Sequence, residues 1–194
     1  IGNSAFVNCS SLKQITIPLS VISLGNKCFA ACTKLKEVII PPSITSIEDY
    51  TFNGCFDLKH VALPSTIKSM GQNAFCHCRS LMKIEIPSSI TSIKRLTFKG
   101  CTSLEYVKIP SCVSSIESEA FFDCENLKII NIPSLVTSIE DYSFAKCSML
   151  TEITLPSSLT SIGNNAFMEC KSLKKIQIPS TVTSIGDNAF DGCT

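Results

Sequence analysis

The sequence predicts an elongated solenoid with a parallel β-sheet along its concave side, and three observations support this prediction. The 194 residues repeat at intervals of 23 with no insertion. Each full repeat holds an apolar segment with the spacing of a short strand, and a proline follows that segment. Because proline donates no backbone N–H, it should end the strand ladder at the same place in every layer.

The first element is the repeat itself, whose average unit reads I-G-x-x-A-F-x-x-C-x-S-L-K-x-I-x-I-P-S-S-V-T-S. We interpret residues 1–194 as a single repeat domain and as a piece of a longer array, with a partial repeat at 185–194. The eight full repeats begin at Ile1, Leu24, Ile47, Met70, Ile93, Ile116, Ile139 and Ile162.

The second element is the strand, as in "LKKIQIP" at 173–179. Its apolar spacing is that of a leucine-rich repeat strand. Strand alternation should turn Leu173, Ile176 and Ile178 inward and Lys175 and Gln177 outward. The predicted class is therefore a leucine-rich-repeat solenoid, a β-rich, right-handed superhelix of the α/β type.

The third element lies opposite the sheet and should consist of short extended or 3-10 segments. "TSIG" at 160–163 predicts a short extended piece, and "GNNAFMEC" at 163–170 predicts one helical or 3-10 turn. The few apolar side chains of one repeat cannot offset the entropy of ordering 23 residues, so each layer must stack on its neighbours.

Nine cysteines occupy one column of the repeat. In a parallel stack their Cβ atoms would stay about 4.8 Å apart, above the usual disulfide separation. Zinc needs four converging ligands, which a straight column does not supply. We therefore favour a core ladder of free thiols over disulfides or a metal site. The column comprises Cys9, Cys32, Cys55, Cys78, Cys101, Cys124, Cys147, Cys170 and Cys193.

Three cysteines lie outside this column. Cys28 replaces a small residue and should be buried. Cys76 stands beside His77 and Cys78, but this run lacks a fourth ligand, so a metal site is disfavoured. Cys112 follows the proline position and is the candidate for a partly exposed, reactive thiol.

The stretch "CKSLKKIQIPSTVTSIGDNAFDGC" at 170–193 resembles the BspA-like leucine-rich repeat family, with its 23-residue Cys-x-x-Leu-x-x-Ile-x-Ile-Pro units. The resemblance covers the whole chain. That family is known mainly from surface proteins of bacteria and protozoan parasites. The resemblance implies adhesion or protein binding, for instance to host extracellular proteins.

Composition argues against several other functions. A formal charge of +1, from 17 basic and 16 acidic residues, predicts no nucleic-acid binding. No apolar run is long enough for a membrane span. The sequence has no Gly-rich loop and no convergent polar cluster, so we expect no catalysis, cofactor or metal. His60 and His77 are expected to be solvated.

The outward strand positions are the candidate protein-binding surface. One part is a basic stripe at Lys13, Lys36 and Lys59, for which a solubilising role is the alternative. The other part combines apolar and charged residues on consecutive repeats, as interface centres do. It comprises Met82, Lys83, Glu105, Tyr106, Lys108 and Ile129.

The repeat architecture predicts a non-catalytic protein-binding module, and the resemblance implies that it is adhesin-like and located at the cell surface or outside the cell. The alternative is a cytoplasmic scaffold or regulatory array that uses the same surface. The end layers should expose apolar faces and strand edges, which predicts end-to-end self-association of the uncapped fragment.

Overall fold

The computed structural model describes residues 1–193, which wind into a parallel β-solenoid without any helix, so the predicted fold class is confirmed. Three-residue strands form the concave side and two-residue strands lie opposite. The strands are β1 (Glu37–Ile39), β2 (Ser46–Ile47), β3 (His60–Ala62), β4 (Ser69–Met70), β5 (Lys83–Glu85), β6 (Ser92–Ile93), β7 (Tyr106–Lys108), β8 (Ser115–Ile116), β9 (Ile129–Asn131), β10 (Ser138–Ile139), β11 (Glu152–Thr154), β12 (Ser161–Ile162) and β13 (Ser184–Ile185).

The strands pair in parallel with a register equal to the sequence period. Tyr106 pairs with Lys83 on one side and Ile129 on the other, and each step is 23 residues. On the concave side, β5, β7, β9 and β11 form one sheet, while β1 and β3 form a separate pair. Equivalent residues therefore lie directly above one another, and the columns of the sequence become columns in space.

Strand alternation separates the concave side into a buried and an exposed set. The middle residues Val38, Ile84 and Val107 are buried, and the residues that flank them are exposed. The last concave segment departs from this pattern: Leu173 is buried, but Ile176 is half-buried and Ile178 is exposed. No further layer covers this segment within residues 1–193, and it forms no strand.

In the turn segment between the two sides, the backbone amides alternate between carbonyls of the next layer and carbonyls of their own layer. The amide of Phe167 donates to the carbonyl of Ala189 in the next layer at 2.8 Å, whereas the amide of Met168 donates to Asn165 within its own layer at 3.1 Å. Asn165 and Glu169 have φ angles of 54° and 57°. A left-handed residue at every fourth position interrupts a 3-10 helix, which explains why a chain of turns replaces it.

These left-handed residues recur at two positions of the repeat, 23 residues apart, and most are not glycine. A non-glycine residue at positive φ costs roughly 1–2 kcal/mol, which the surrounding hydrogen bonds must offset. The first column holds Ser4, Lys27, Tyr50, Asn73, Leu96, Glu119, Tyr142, Asn165 and Asn188. The second holds Asn8, Ala31, Gly54, His77, Gly100, Asp123, Lys146, Glu169 and Gly192.

The core contains a ladder of stacked phenylalanine rings beside the cysteine column. Rings in adjacent layers lie 5.3–5.7 Å apart, and their planes differ by 5–17°. Each thiol of the cysteine column from Cys32 onward donates to the carbonyl of a phenylalanine in the preceding layer, as Cys124 Sγ does to Phe98 at 3.2 Å. Seven column cysteines are buried; Cys9 is exposed and Cys193 half-buried, because each lies in an outermost layer.

Four glycines allow close approach between layers opposite the sheet. Asp141 Oδ1 accepts the amide of Asn164 at 2.6 Å, and Gly163 lies directly over that contact. A Cβ on Gly163 would lie 2.7 Å from the Asp141 nitrogen. Gly25, Gly71 and Gly186 likewise lie above Asn3, Asp49 and Asn164, whose Oδ1 atoms accept an amide from the next layer.

We predict that Gly163→Ala lowers the free energy of unfolding by about 2 kcal/mol, because the methyl group forces two backbones apart. Urea denaturation followed by circular dichroism measures this change. Gly2→Ala is the matched control, since nothing lies within 4 Å of its added Cβ. Equal stability of the two variants would contradict the proposed close contact.

Candidate functional site

The outward side chains of the concave strand segments form three columns, each with eight members, and all 24 are exposed. The alternation of the strands places them on one face. Every residue predicted for the binding surface lies on this face, and none of them is buried.

An apolar cluster lies near the middle of this face. Tyr106 is 55% exposed, Met82 48% and Ile129 43%, and together they are called the Tyr106 patch. The three residues belong to consecutive layers, because Tyr106 pairs in register with Ile129 and the residue after Met82 pairs with Tyr106. Exposed apolar residues that adjoin one another in this way are typical of interface centres.

Charged residues surround the Tyr106 patch. Lys83 and Lys108 are exposed at neighbouring outward positions, and Lys128 Nζ lies 3.1 Å from Glu105 Oε2. The predicted basic stripe at Lys13, Lys36 and Lys59 is exposed in three consecutive layers on one side of the patch. The structure therefore places the two predicted parts on the same face of the solenoid.

Three depressions adjoin this face, and none of them is evident in the sequence: one of about 1040 Å³ lies at its last two segments, lined by Glu152, Thr154, Lys175 and Gln177, and two lie nearer the middle. The first of these two, of about 620 Å³, runs from Tyr106 past Glu85 and Lys108 to Cys112 at the proline edge. The other, of about 280 Å³, lies between β3 and β5. These two strands form no ladder, and the gap leaves Val61 half-buried, whereas the middle residue of every other three-residue strand is buried.

The concave face has a second exposed apolar position that the predicted binding surface does not include. Ile39 is 74% exposed and pairs in register with Ala62, which is exposed beside the gap. The outward column does read Thr16, Ile39, Ala62, so the signal was present. The sequence does not show that these two side chains lie beside a gap between β3 and β5, and only the structure shows this.

The side opposite the sheet holds an ion-pair cluster. Lys99 Nζ lies 2.7 Å from Glu119 Oε2 and 4.6 Å from the centre of the Phe122 ring, and Arg95 binds the other oxygen of Glu119 at 2.9 Å. Partial burial raises the pKa of Glu119, but the hydrogen bonds from Lys99 and Arg95 outweigh it and lower the pKa overall. The groups satisfy one another, which indicates a stabilising role between layers.

The histidines do not form a reactive pair. His60 is exposed as predicted, whereas His77 is half-buried because its ring packs against Gly100. Burial, aided by Arg79 and Lys99, lowers the pKa of His77. No group of three or more potential ligands is arranged for a metal ion anywhere in residues 1–193.

The thiols outside the ladder are also held in place. Cys28 and Cys76 are buried, and burial raises their pKa values to about 12 and about 11. Cys112 is half-buried, and its Sγ donates to the carbonyls of Ser88 at 2.9 Å and Ile90 at 3.2 Å. This thiol lines the depression beside Tyr106, so it reports on that surface.

Burial also keeps the ladder thiols protonated. It raises the pKa of Cys32 to about 11 and that of Cys170 to about 12, and it raises those of Cys55, Cys78 and Cys101. A thiolate is the nucleophile and the metal ligand, so these groups are chemically inert near neutral pH.

The sequence matches the BspA type leucine rich repeat region in six copies, over residues 1–96 and 68–194. The chain therefore belongs to this family of leucine-rich repeat proteins, whose repeats generally bind proteins and are not catalytic. A comparison with curated proteins finds no significant match. No helix within residues 1–193 has the length and apolar character needed to cross a membrane.

Solved structures of bacterial proteins share the fold. A leucine-rich repeat protein from Bacteroides ovatus is 38% identical, with a TM-score of 0.94. The match covers 100% of this chain, which spans 50% of the length of that protein. The T. pallidum leucine rich repeat protein is 30% identical over 83% of this chain and 78% of its own, with a TM-score of 0.77.

A third structure is that of a leucine rich cell surface protein from Faecalibacterium prausnitzii. It is 26% identical, covers 100% of this chain and 74% of its own, and has a TM-score of 0.59.

We predict that the free energy of unfolding falls as the pH rises above about 9, the ordinary pKa of a cysteine thiol, towards the raised pKa values of the buried thiols. A buried thiol with a raised pKa stabilises the fold below its unfolded pKa, and this stability is lost as the pH rises towards the folded value. Each such thiol lowers the free energy of unfolding by about 1.4 kcal/mol per pH unit in that window. Urea titrations between pH 8 and 11 measure the slope.

The Cys101→Ala variant provides the control for this prediction, because it removes one buried thiol. It should unfold more easily at pH 8, and its stability should fall less steeply with pH, by the contribution of one thiol. An unchanged slope would show that other groups cause the alkaline unfolding.

Proposed function

We propose that this chain is a non-catalytic protein-binding module that holds its partner on the concave face. The observation that carries the proposal is the Tyr106 patch, which places three exposed apolar side chains on consecutive layers of the concave face. Large apolar and aromatic side chains at the centre of a surface supply most of the binding energy in protein interfaces. The surrounding lysines and carboxylates supply a polar rim.

We further propose an adhesin-like role at the bacterial cell surface, where the partner is a host or other extracellular protein. The name of the Faecalibacterium prausnitzii relative, a cell surface protein, supports this location. The alternative is an intracellular scaffold that uses the same face. The sheet geometry serves either role equally, so the compartment distinguishes them.

The first test concerns the binding face. Peptides are selected on the wild-type protein from a displayed library of random sequences. They should bind the Tyr106→Ala variant about tenfold or more weakly, because the central residues of an interface supply most of its binding energy. They should also protect Cys112, but not Cys9, from alkylation as mapped by mass spectrometry. Tyr142→Ala is the control, because Tyr142 is exposed on the other side of the solenoid. Peptides that bind both variants equally would place the binding site elsewhere.

The second test concerns the compartment. Brief protease treatment of intact cells that produce the native full-length protein should remove the repeat region from a surface protein. A known cytoplasmic protein in the same cells provides the control and should survive. Survival of the repeat region until the cells are lysed would favour the intracellular scaffold.

A further inference from the structure

We propose that the partner segment is acidic and extended, with one apolar or aromatic side chain that docks on the Tyr106 patch between flanking carboxylates. This inference rests on the proposed binding function of the concave face and defines its partner by charge.

The first observation is an uneven distribution of charge. The 24 outward positions of the concave face carry eight lysines and four carboxylates, which gives the face a formal charge of +4. The whole chain has a formal charge of +1, so the remaining residues carry −3. The concave face is therefore the positive side of a nearly neutral protein, and it favours an acidic partner.

The second observation is that these lysines have few internal partners. Among the eight lysines on the face, Lys128 alone makes an ion pair within residues 1–193, with Glu105. The ammonium groups of Lys36, Lys59 and Lys175 have no carboxylate within 4.0 Å in the described chain. By contrast, Lys94, Arg95 and Lys99 on the opposite side are paired with Glu117 and Glu119.

The third observation is the order of these features along the solenoid. Lys13, Lys36 and Lys59 precede the Tyr106 patch, and Lys174 and Lys175 follow it. At about 4.8 Å per layer, Lys36 lies roughly 14 Å from Tyr106, and Lys175 lies roughly as far on the other side. An extended chain covers that distance in about four residues. The partner should therefore place carboxylates about four residues before and after its apolar side chain.

The arrangement favours a peptide over a sulfated polysaccharide. Glu37, Glu85, Glu105 and Glu152 lie among the lysines on the same face, and they would repel a uniform polyanion. The depression of about 620 Å³ beside Tyr106 has room for an apolar side chain, and a polysaccharide carries none. A protein segment with one apolar side chain between flanking acidic residues matches both features.

The test is a selection of random ten-residue displayed peptides on the wild-type protein at physiological salt. We expect enriched peptides to carry an aromatic or aliphatic residue with Asp or Glu within about four residues on each side. Their affinity should fall about tenfold or more in the double variant Lys36→Glu and Lys59→Glu, since each like-charge contact opposes binding. The double variant Lys68→Glu and Lys171→Glu makes the same charge change off this face and should change affinity less than about twofold.

The other outcomes separate this inference from the proposed function. If the selected peptides bind Tyr106→Ala more weakly than the wild type but lack acidic residues, the proposal of an acidic partner would be wrong and the proposed binding face would stand. Peptides that are indifferent to Tyr106→Ala and to the charge reversal would overturn both. A selection that enriches no peptide, with heparin binding that depends on Lys36 and Lys59, would assign the stripe to a polyanion and overturn the acidic segment. Failure of peptide and heparin alike to bind would overturn it as well.

Discussion

In each layer the carbonyl of the core phenylalanine joins its own layer to the next one. The carbonyl of Phe144 accepts the amide of Cys147 within its layer at 3.2 Å and the thiol of Cys170 from the next layer at 3.1 Å. A carbonyl oxygen has two lone pairs, so it can accept both bonds at once. The thiol is small enough for the core, apolar enough to be buried, and still able to donate. This combination explains why cysteine fills the column although no disulfide forms between successive members.

The turn segments depend on the same stacking. Their alternate amides point along the solenoid axis only because two residues per repeat adopt left-handed conformations. Residues such as Leu96 and Tyr142 would avoid that conformation in an isolated turn. The hydrogen bonds and phenylalanine contacts of the neighbouring layers hold them there. Local strain and long-range order are therefore coupled, and a repeat has no stable structure apart from its neighbours.

Stacking in exact register also shapes the surface. Because every inward column is filled by the core, differences between repeats appear in the outward columns and in the turns. Tyr106 lies next to Ile129 for this reason alone: the two occupy equivalent positions in adjacent repeats. The departures from regularity, such as the missing ladder between β3 and β5, then create depressions beside otherwise flat strands. The properties of the surface therefore depend on which side chains occupy the regularly spaced outward positions.

The sequence by itself determined the period, the parallel stacking and the inward and outward strand positions, because a 23-residue repeat without insertions leaves one register that buries every apolar column. It also identified Met82, Tyr106 and Ile129 as neighbours, since position in the repeat determines position in space. Only the tertiary structure decided the turn conformation, because Ser4, Lys27 and Leu96 carry no local preference for positive φ. The sequence likewise could not predict three other features: the half-buried Val61, the depression beside Cys112 and the thiol-to-carbonyl bonds. Each depends on distances between layers, which are set by packing of the whole stack rather than by any one repeat.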